Sequence, residues 1–319
     1  MGLVIGEVSV VSPLGLDAAE HVFFLRGEVA PFASGAFTNE EDEPLPIHDC
    51  GWIPAVRPWS SRLGLLAKRA LARVTPRDRK VPLLLVTSAE ALEPEVDLRR
   101  FLSFAGHNVA SARVGAAAFV AALDDAQELL KREPEVVLLA VDSRIRRDLI
   151  EDWFAIRYSA FTRNPLPPSE GAAAIRLTSN GSGGAPVARI LGYASQVSEA
   201  NDDNDLPTDG SALTRVFAEL GMPPAVPLVV GPFDADPLRS REFQLASARH
   251  AQPLMTAEIL SLEGKIGAFG AAGGLMSLAF AVANLQARTL EESSARPVAL
   301  SWARSSDGTV GGALVEAWS

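Results

Sequence analysis

Residues 266–287 read IGAFGAAGGLMSLAFAVANLQA. No charged side chain stands between Lys265 and Arg288. As a helix, that stretch is long enough to cross a bilayer. Its chemistry points elsewhere. Gly and Ala dominate where a span favours Leu, Ile and Val, and Asn284 and Gln286 sit inside it. Gly270 and Gly274 form a G-x-x-x-G, a spacing that also serves close packing inside a protein. The expected reading is a buried central helix, from about 271 to 287, in a large α/β core, with no membrane involved.

The rest of the composition agrees with a large core. The chain has 319 residues, 48% apolar and 21% charged, so it can bury a core and has little room for disorder. A net charge of −10 repels phosphate backbones, which argues against nucleic acid as a partner. Cys50 is the only cysteine, which excludes an intramolecular disulfide and a thiolate cluster. His21, His48, His107 and His250 are scattered without H-x-x-x-H spacing, so no metal and no cofactor are expected. Met1–Ile5 lacks a basic leader region and Glu7 follows it, so the expected location is cytoplasmic.

Outward from the central stretch, strand and helix patterns alternate. Residues 3–11, 82–87, 135–141, 171–178, 187–197, 226–230, 297–303 and 308–318 read as strands. Residues 62–74 are amphipathic, with Leu63, Leu66, Ala70 and Val74 on one face. Further helices are expected from Asp17 to about Arg26, at 115–131, 211–220 and 238–249. Residues 31–58 show no clear period, and their Glu40–Glu43 run reads as a solvated loop. The turn at 180–185 (NGSGGA) is the clearest midpoint. Continuous apolar strands imply sheets covered by helices on both faces, an α/β architecture in two halves, 1–183 and 184–319.

Four segments, in order, resemble the β-ketoacyl synthases of the thiolase-like superfamily. VVSPLGLDAAEHVFFLRGE at 10–28 is similar to the family's opening T-P-L-G motif. SEGAAAIRLTS at 169–179 is similar to its G-E-G-A strand. GYASQVSEANDDNDLPTDG at 192–210 keeps Pro207, Asp209 and Gly210 in place. GKIGAFGAAGGLMSLAFAVANL at 264–285 resembles its G-A-A-G helix start. The resemblance implies a five-layered αβαβα fold of two similar halves, and dimers whose first halves pack edge to edge.

It also implies a chemistry, which these residues lack. Carbon–carbon bond formation in that family uses a Cys at the start of a central helix, where the helix lowers the thiol pKa and backbone N–H groups receive an oxyanion. Here that position falls on Val114, followed by Gly115. The two assisting His positions fall on Gly231 and on Gly267 or Ala268, and Lys265 stands near the family's lysine. The expectation is a catalytically inactive ketosynthase-like protein that works as a scaffold or adaptor. It would act in a homodimer or heterodimer with a ketosynthase-like paralogue, and could bind protein cargo such as a secretion effector.

Two alternatives stay open: a chain-length-factor-like subunit that helps dock an acyl carrier protein, and an acyl-thioester hydrolase with relocated chemistry using Ser111 or water, with His107 beside Ser111 as a candidate partner. Basic candidates for docking are Arg144, Arg146 and Arg147, with Lys131 and Arg132. Trp153, Phe154 and Tyr158 read as core or as part of a partner surface. GAFGAAGG at 267–274 lacks phosphate-loop spacing, and Asp202–Asp205 lacks the turn Gly and terminal Glu of a Ca²⁺ loop.

Overall fold

The computed structural model describes residues 2–31, 34, 37–38, 42, 44–54, 57–76, 80–159, 166–179, 185–200, 206–233, 237–289 and 296–318, without the side chains of 154–159 and 289. In the first half the elements are β1 (Leu3–Val11), α1 (Ala18–Arg26), α2 (Trp59–Val74), β2 (Pro82–Thr87), α3 (Leu98–Phe104), β3 (Asn108–Val114), α4 (Phe119–Leu129), β4 (Glu135–Ser143), α5 (Arg147–Ser159) and β5 (Glu170–Thr178). In the second half they are β6 (Ala188–Val197), α6 (Ser211–Glu219), β7 (Leu228–Val230), α7 (Pro237–Arg249), α8 (Ala251–Leu254), β8 (Glu258–Leu260), α9 (Leu262–Ile266), α10 (Gly273–Thr289), β9 (Val298–Arg304) and β10 (Thr309–Ala317).

The strands form one sheet in the order β3-β2-β4-β5-β1-β6-β10-β9-β7-β8. Read inward from each end, the two halves match strand for strand: third, second, fourth, fifth, first. They join at β1–β6 through the pairs Leu3↔Ile190, Val4↔Arg189 and Ile5↔Ala188. The fold is therefore a repeated α/β unit, and the alternation of side chains shows how it is layered. In β4, Val136, Leu138 and Ala140 face a core shared with α4 and α10, while Val137, Leu139 and Val141 face α2. In β9, Ala299 and Ala303 face the same shared core, while Val298, Leu300 and Trp302 face α6 and α7. The result is helix, sheet, helix, sheet, helix: the five-layered αβαβα arrangement of the thiolase-like fold.

The central apolar stretch is the middle layer. The stretch Gly270–Arg288 is long and apolar enough to cross a membrane, yet 83% of its most apolar part is buried inside the protein. Leu275, Met276, Leu278, Phe280 and Leu285 are all fully buried. At the other end of the chain, Asp17 caps α1 as expected, its Oδ1 accepting from the Ala19 N–H at 2.7 Å.

Several boundaries differ from the sequence reading. The helix expected at 62–74 starts at Trp59. Its Arg62 is fully buried because it pairs with Glu170 across 2.5 Å. The helix expected at 115–131 is a 3₁₀ turn at Ala116–Ala118 followed by α4. Most of the run 40–43, all but the last residue of the midpoint turn 180–185 with the boundary 183/184, and the acidic run 202–205 lie outside the described residues.

Candidate functional site

A cleft of about 870 Å³ opens where loops of both halves converge over the starts of α4 and α10. Its floor is built by two turns. At the first, β3 ends in Val114 and Gly115 takes φ +100°, a backbone conformation that favours glycine. The chain then enters the 3₁₀ turn leading to α4. Val114 is 50% exposed and lines the cleft, so the side chain at this elbow does reach the cavity. A valine there offers no nucleophilic atom.

The N–H groups of the elbow are already engaged. Gly115 N–H donates to Thr87 O at 3.2 Å, and Ala117 N–H donates to Ser305 Oγ at 2.9 Å. Ser305 follows directly after β9. The second turn mirrors the first. Asp142 lies near the end of β4, and its Oδ2 accepts the Ala271 N–H at 2.9 Å at the start of α10. Each half thus caps the central helix of the other with a side chain from the end of its fourth strand. Asp142 is buried, and burial raises its carboxyl above the ordinary 3.8. The N–H groups of Ala271 and Ser143 and the charge of Arg144 oppose that rise.

The other expected positions divide. Ala268 lines the cleft. Gly267 is buried behind it with φ +95°, close to the Pro167 carbonyl and His48 Nδ1. Lys265 is exposed on α9 and does not line the cleft. Gly231 sits against the Trp302 indole, and any side chain at 231 would overlap the indole nitrogen. Trp302 stacks on Phe243 (centroids 6.0 Å, planes 9° apart) and meets Phe233 edge-on at 5.7 Å. An aromatic cluster therefore fills the space around Gly231. Among the described residues, the cleft lining contains neither cysteine nor histidine.

The docking candidates do not form one surface. Arg144, Arg146 and Trp153 line the cleft, whereas Arg147 is exposed on α5 and pairs with Glu151 at 3.3 Å. The side chains of Phe154 and Tyr158 lie outside the described residues. Lys131 is exposed and held by Glu128 at 2.7 Å. His107 and Ser111 are not brought together. Four residues of helix would juxtapose them, but residues 108–114 are the strand β3, and four residues of strand span about 13 Å. Ser111 Oγ donates instead to Asp125 Oδ2 at 2.8 Å. Cys50 is fully buried, and burial together with Glu170 pushes its thiol well up, which leaves it inert.

A buried network supports the cleft from behind. Glu170 accepts from Arg62 through both carboxylate oxygens, from Cys50 N–H at 2.8 Å and from Ser143 Oγ at 2.9 Å. Trp59 on the cleft wall donates its indole N–H to Ser143 O at 2.6 Å, and Arg146 lies over its ring at 5.0 Å. A second fully buried pair, Arg304–Glu242 at 2.6 Å, closes the other side. Sequence reading missed Asp142, Ser305, Trp302 and both ion pairs. Among the described residues no group of three or more His, Cys, Asp or Glu is placed to hold a metal ion.

No protein-family model and no curated protein sequence matches the chain. Solved structures do match in fold. The ishigamide ketosynthase/chain length factor superposes with a TM-score of 0.75 at 17% identity, over 100% of both chains. A type II polyketide synthase complex, AntDE:AntF, contains an acyl-carrier protein with its ketosynthase bound to the hexaketide. It gives a TM-score of 0.76 at 15% identity over 100% of this chain and 99% of that one. The ketosynthase from module 6 of the bacillaene synthase from Bacillus subtilis 168 gives 0.75 at 12%, over 100% of this chain and 72% of that one. The chain has the thiolase-like fold of ketosynthases and chain length factors.

Proposed function

We propose that the protein is a catalytically inactive ketosynthase-like scaffold or adaptor of the cytoplasm that works by binding another protein, as a homodimer or as one half of a heterodimer. The elbow carries this reading. Its side chain is Val114, its Gly115 and Ala117 N–H groups are spent on Thr87 and Ser305, and the Trp302 cluster packs against Gly231. A binding role, including carriage of a secretion effector, needs none of the missing chemistry. The edge strand β3 supports dimerisation, because its outer edge is unpaired among the described strands and is open to a partner strand.

A chain-length-factor-like subunit is the second reading. It is favoured by the full-length likeness to a ketosynthase/chain length factor and by the arginines of the cleft, which suit an acidic carrier protein. The strand that separates His107 from Ser111 speaks against a hydrolase built on those two residues.

A native pull-down at near-physiological salt, with the eluted complex sized by light scattering, tests both. An unrelated protein recovered at fixed stoichiometry supports the scaffold. A Cys-bearing ketosynthase or a carrier protein defeats it and supports the second reading. Turnover of acyl thioesters by the purified protein, lost on Ser111→Ala, overturns both.

A further inference from the structure

The fourth strand of each half leads into an arginine at the cleft, and the two arginines differ in their surroundings. Arg304, the last residue of β9, is fully buried; its charge is met by Glu242 at 2.6 Å and by the Ala200 carbonyl. Arg144, just beyond β4, is half-buried on the cleft wall. Its backbone N–H donates to Ser169 O at 2.8 Å. Among the described residues, no acceptor lies within hydrogen-bond distance of its guanidinium. The neighbouring acid, Asp142, spends its oxygens on the N–H groups of Ala271 and Ser143 and reaches Arg144 only through space. The next arginine along, Arg146, is already held by Asp148 at 2.6 Å.

We propose that the cleft binds an organic carboxylate with an apolar body, seated on the Arg144 guanidinium. A partly desolvated guanidinium whose donors meet no acceptor among the described residues is unfavourable, and its planar fork of donors matches a carboxylate in bidentate fashion. A single charge suits the site because Arg146 and Arg304 are neutralised internally. Arg239 and Arg241 of α7 also line the cleft, as do the acids Glu90, Asp152 and Glu263, so the recognition of an anion falls to Arg144 itself. The apolar body finds Trp59, Trp153, Leu149, Leu166, Leu206 and Leu238 in the same lining. The volume falls in the range of small-molecule sites. With valine at the elbow, the ligand is held and not converted. This site does not depend on the scaffold reading.

Trp59 and Trp153 provide the assay. Their fluorescence is followed while the wild-type protein is titrated with hydrocinnamate, and in parallel with its neutral amide, with calorimetry as a second readout. Hydrocinnamate binds saturably, and the amide binds about tenfold or more weaker. Arg144→Met, which keeps the aliphatic stem, lowers hydrocinnamate affinity to that of the amide, and Arg144→Lys keeps part of it. Arg215→Ala, which removes one positive charge from the exposed face of α6, leaves binding unchanged. The proposal is overturned if neither probe binds, if acid and amide bind alike to wild type, or if Arg144→Met binds the acid as wild type does. The acid-versus-amide comparison needs no variant, so it stands even where a substitution at 144 impairs folding.

Discussion

Val114→Cys places a thiol at the elbow, where the family resemblance places the nucleophile of condensing chemistry. The substitution is nearly isosteric, and the side chain is half exposed, so the fold should be kept. The thiol should alkylate with iodoacetamide, since the start of α4 lies beside it. Condensation should still fail. Among the described residues the cleft lining has no histidine, and general acid–base groups are worth about 10²–10⁴ in rate. The Ala117 N–H is committed to Ser305 Oγ at 2.9 Å, and one oxyanion donor is worth about 10²–10³. Taking the lower ends together, the variant lacks at least about 10⁴ in rate, or about 5 kcal/mol of transition-state stabilisation. The assay is mass spectrometry of self-acylation from an acetyl thioester, run beside carbon dioxide release from a malonyl thioester. Slow acylation without carbon dioxide release is expected. Adding Ser305→Ala should free the Ala117 N–H and speed acylation. Carbon dioxide release above the buffer rate in Val114→Cys alone would refute the reasoning.

Arg62→Met should destabilise the protein by about 3–5 kcal/mol, because it strands a fully buried Glu170 carboxylate; urea unfolding reads the loss. Gly231→Ala should destabilise by about 1–3 kcal/mol, since its methyl group meets the Trp302 indole, and the near-ultraviolet circular dichroism of the aromatic cluster should change with it. Asp142 sets a pH signature. Its folded carboxyl lies above the ordinary 3.8, so between 3.8 and the raised value the native state binds more protons than the unfolded chain. Its contribution to stability therefore falls as pH rises through that window and is flat above it. Asp142→Asn lacks this slope, and a wild-type advantage that grew with pH across the window would contradict the assignment.

The interior elements were legible because their burial is complete on both faces. Residues 82–87 and 135–141 read as strands since every side chain faces one of two cores. The edges were not. Asn108–Val114 mixes exposed and buried positions without strict alternation, and Glu258–Leu260 has only three residues, so neither β3 nor β8 carries a pattern a sequence can show. The family resemblance singled out Val114, and the structure puts it at an elbow on a cleft. The cleft itself was out of reach. Ser305 meets Ala117 across 188 residues, Asp142 meets Ala271 across 129 and Arg62 meets Glu170 across 108. Such pairings follow from how the two repeats close on each other and leave no local spacing to read. The basic run near 144 was visible, but only the structure separates Arg144 and Arg146 in the cleft from Arg147 on the surface.

The pairing of β1 with β5 has a consequence for synthesis. Val4 lies opposite Thr178 and Val11 opposite Ala172, so β1 leaves the ribosome with no β5 partner until residues 170–178 follow it. At about 5–20 residues per second, that wait is on the order of ten seconds. Its other neighbour, β6, emerges later still and offers only three residue pairs. During that interval an apolar stretch, LVIGEVSVV, is exposed with both edges open. The nascent chain is therefore prone to aggregate through β1, and a holdase that covers this strand would raise the yield of folded protein more than one acting on the finished chain.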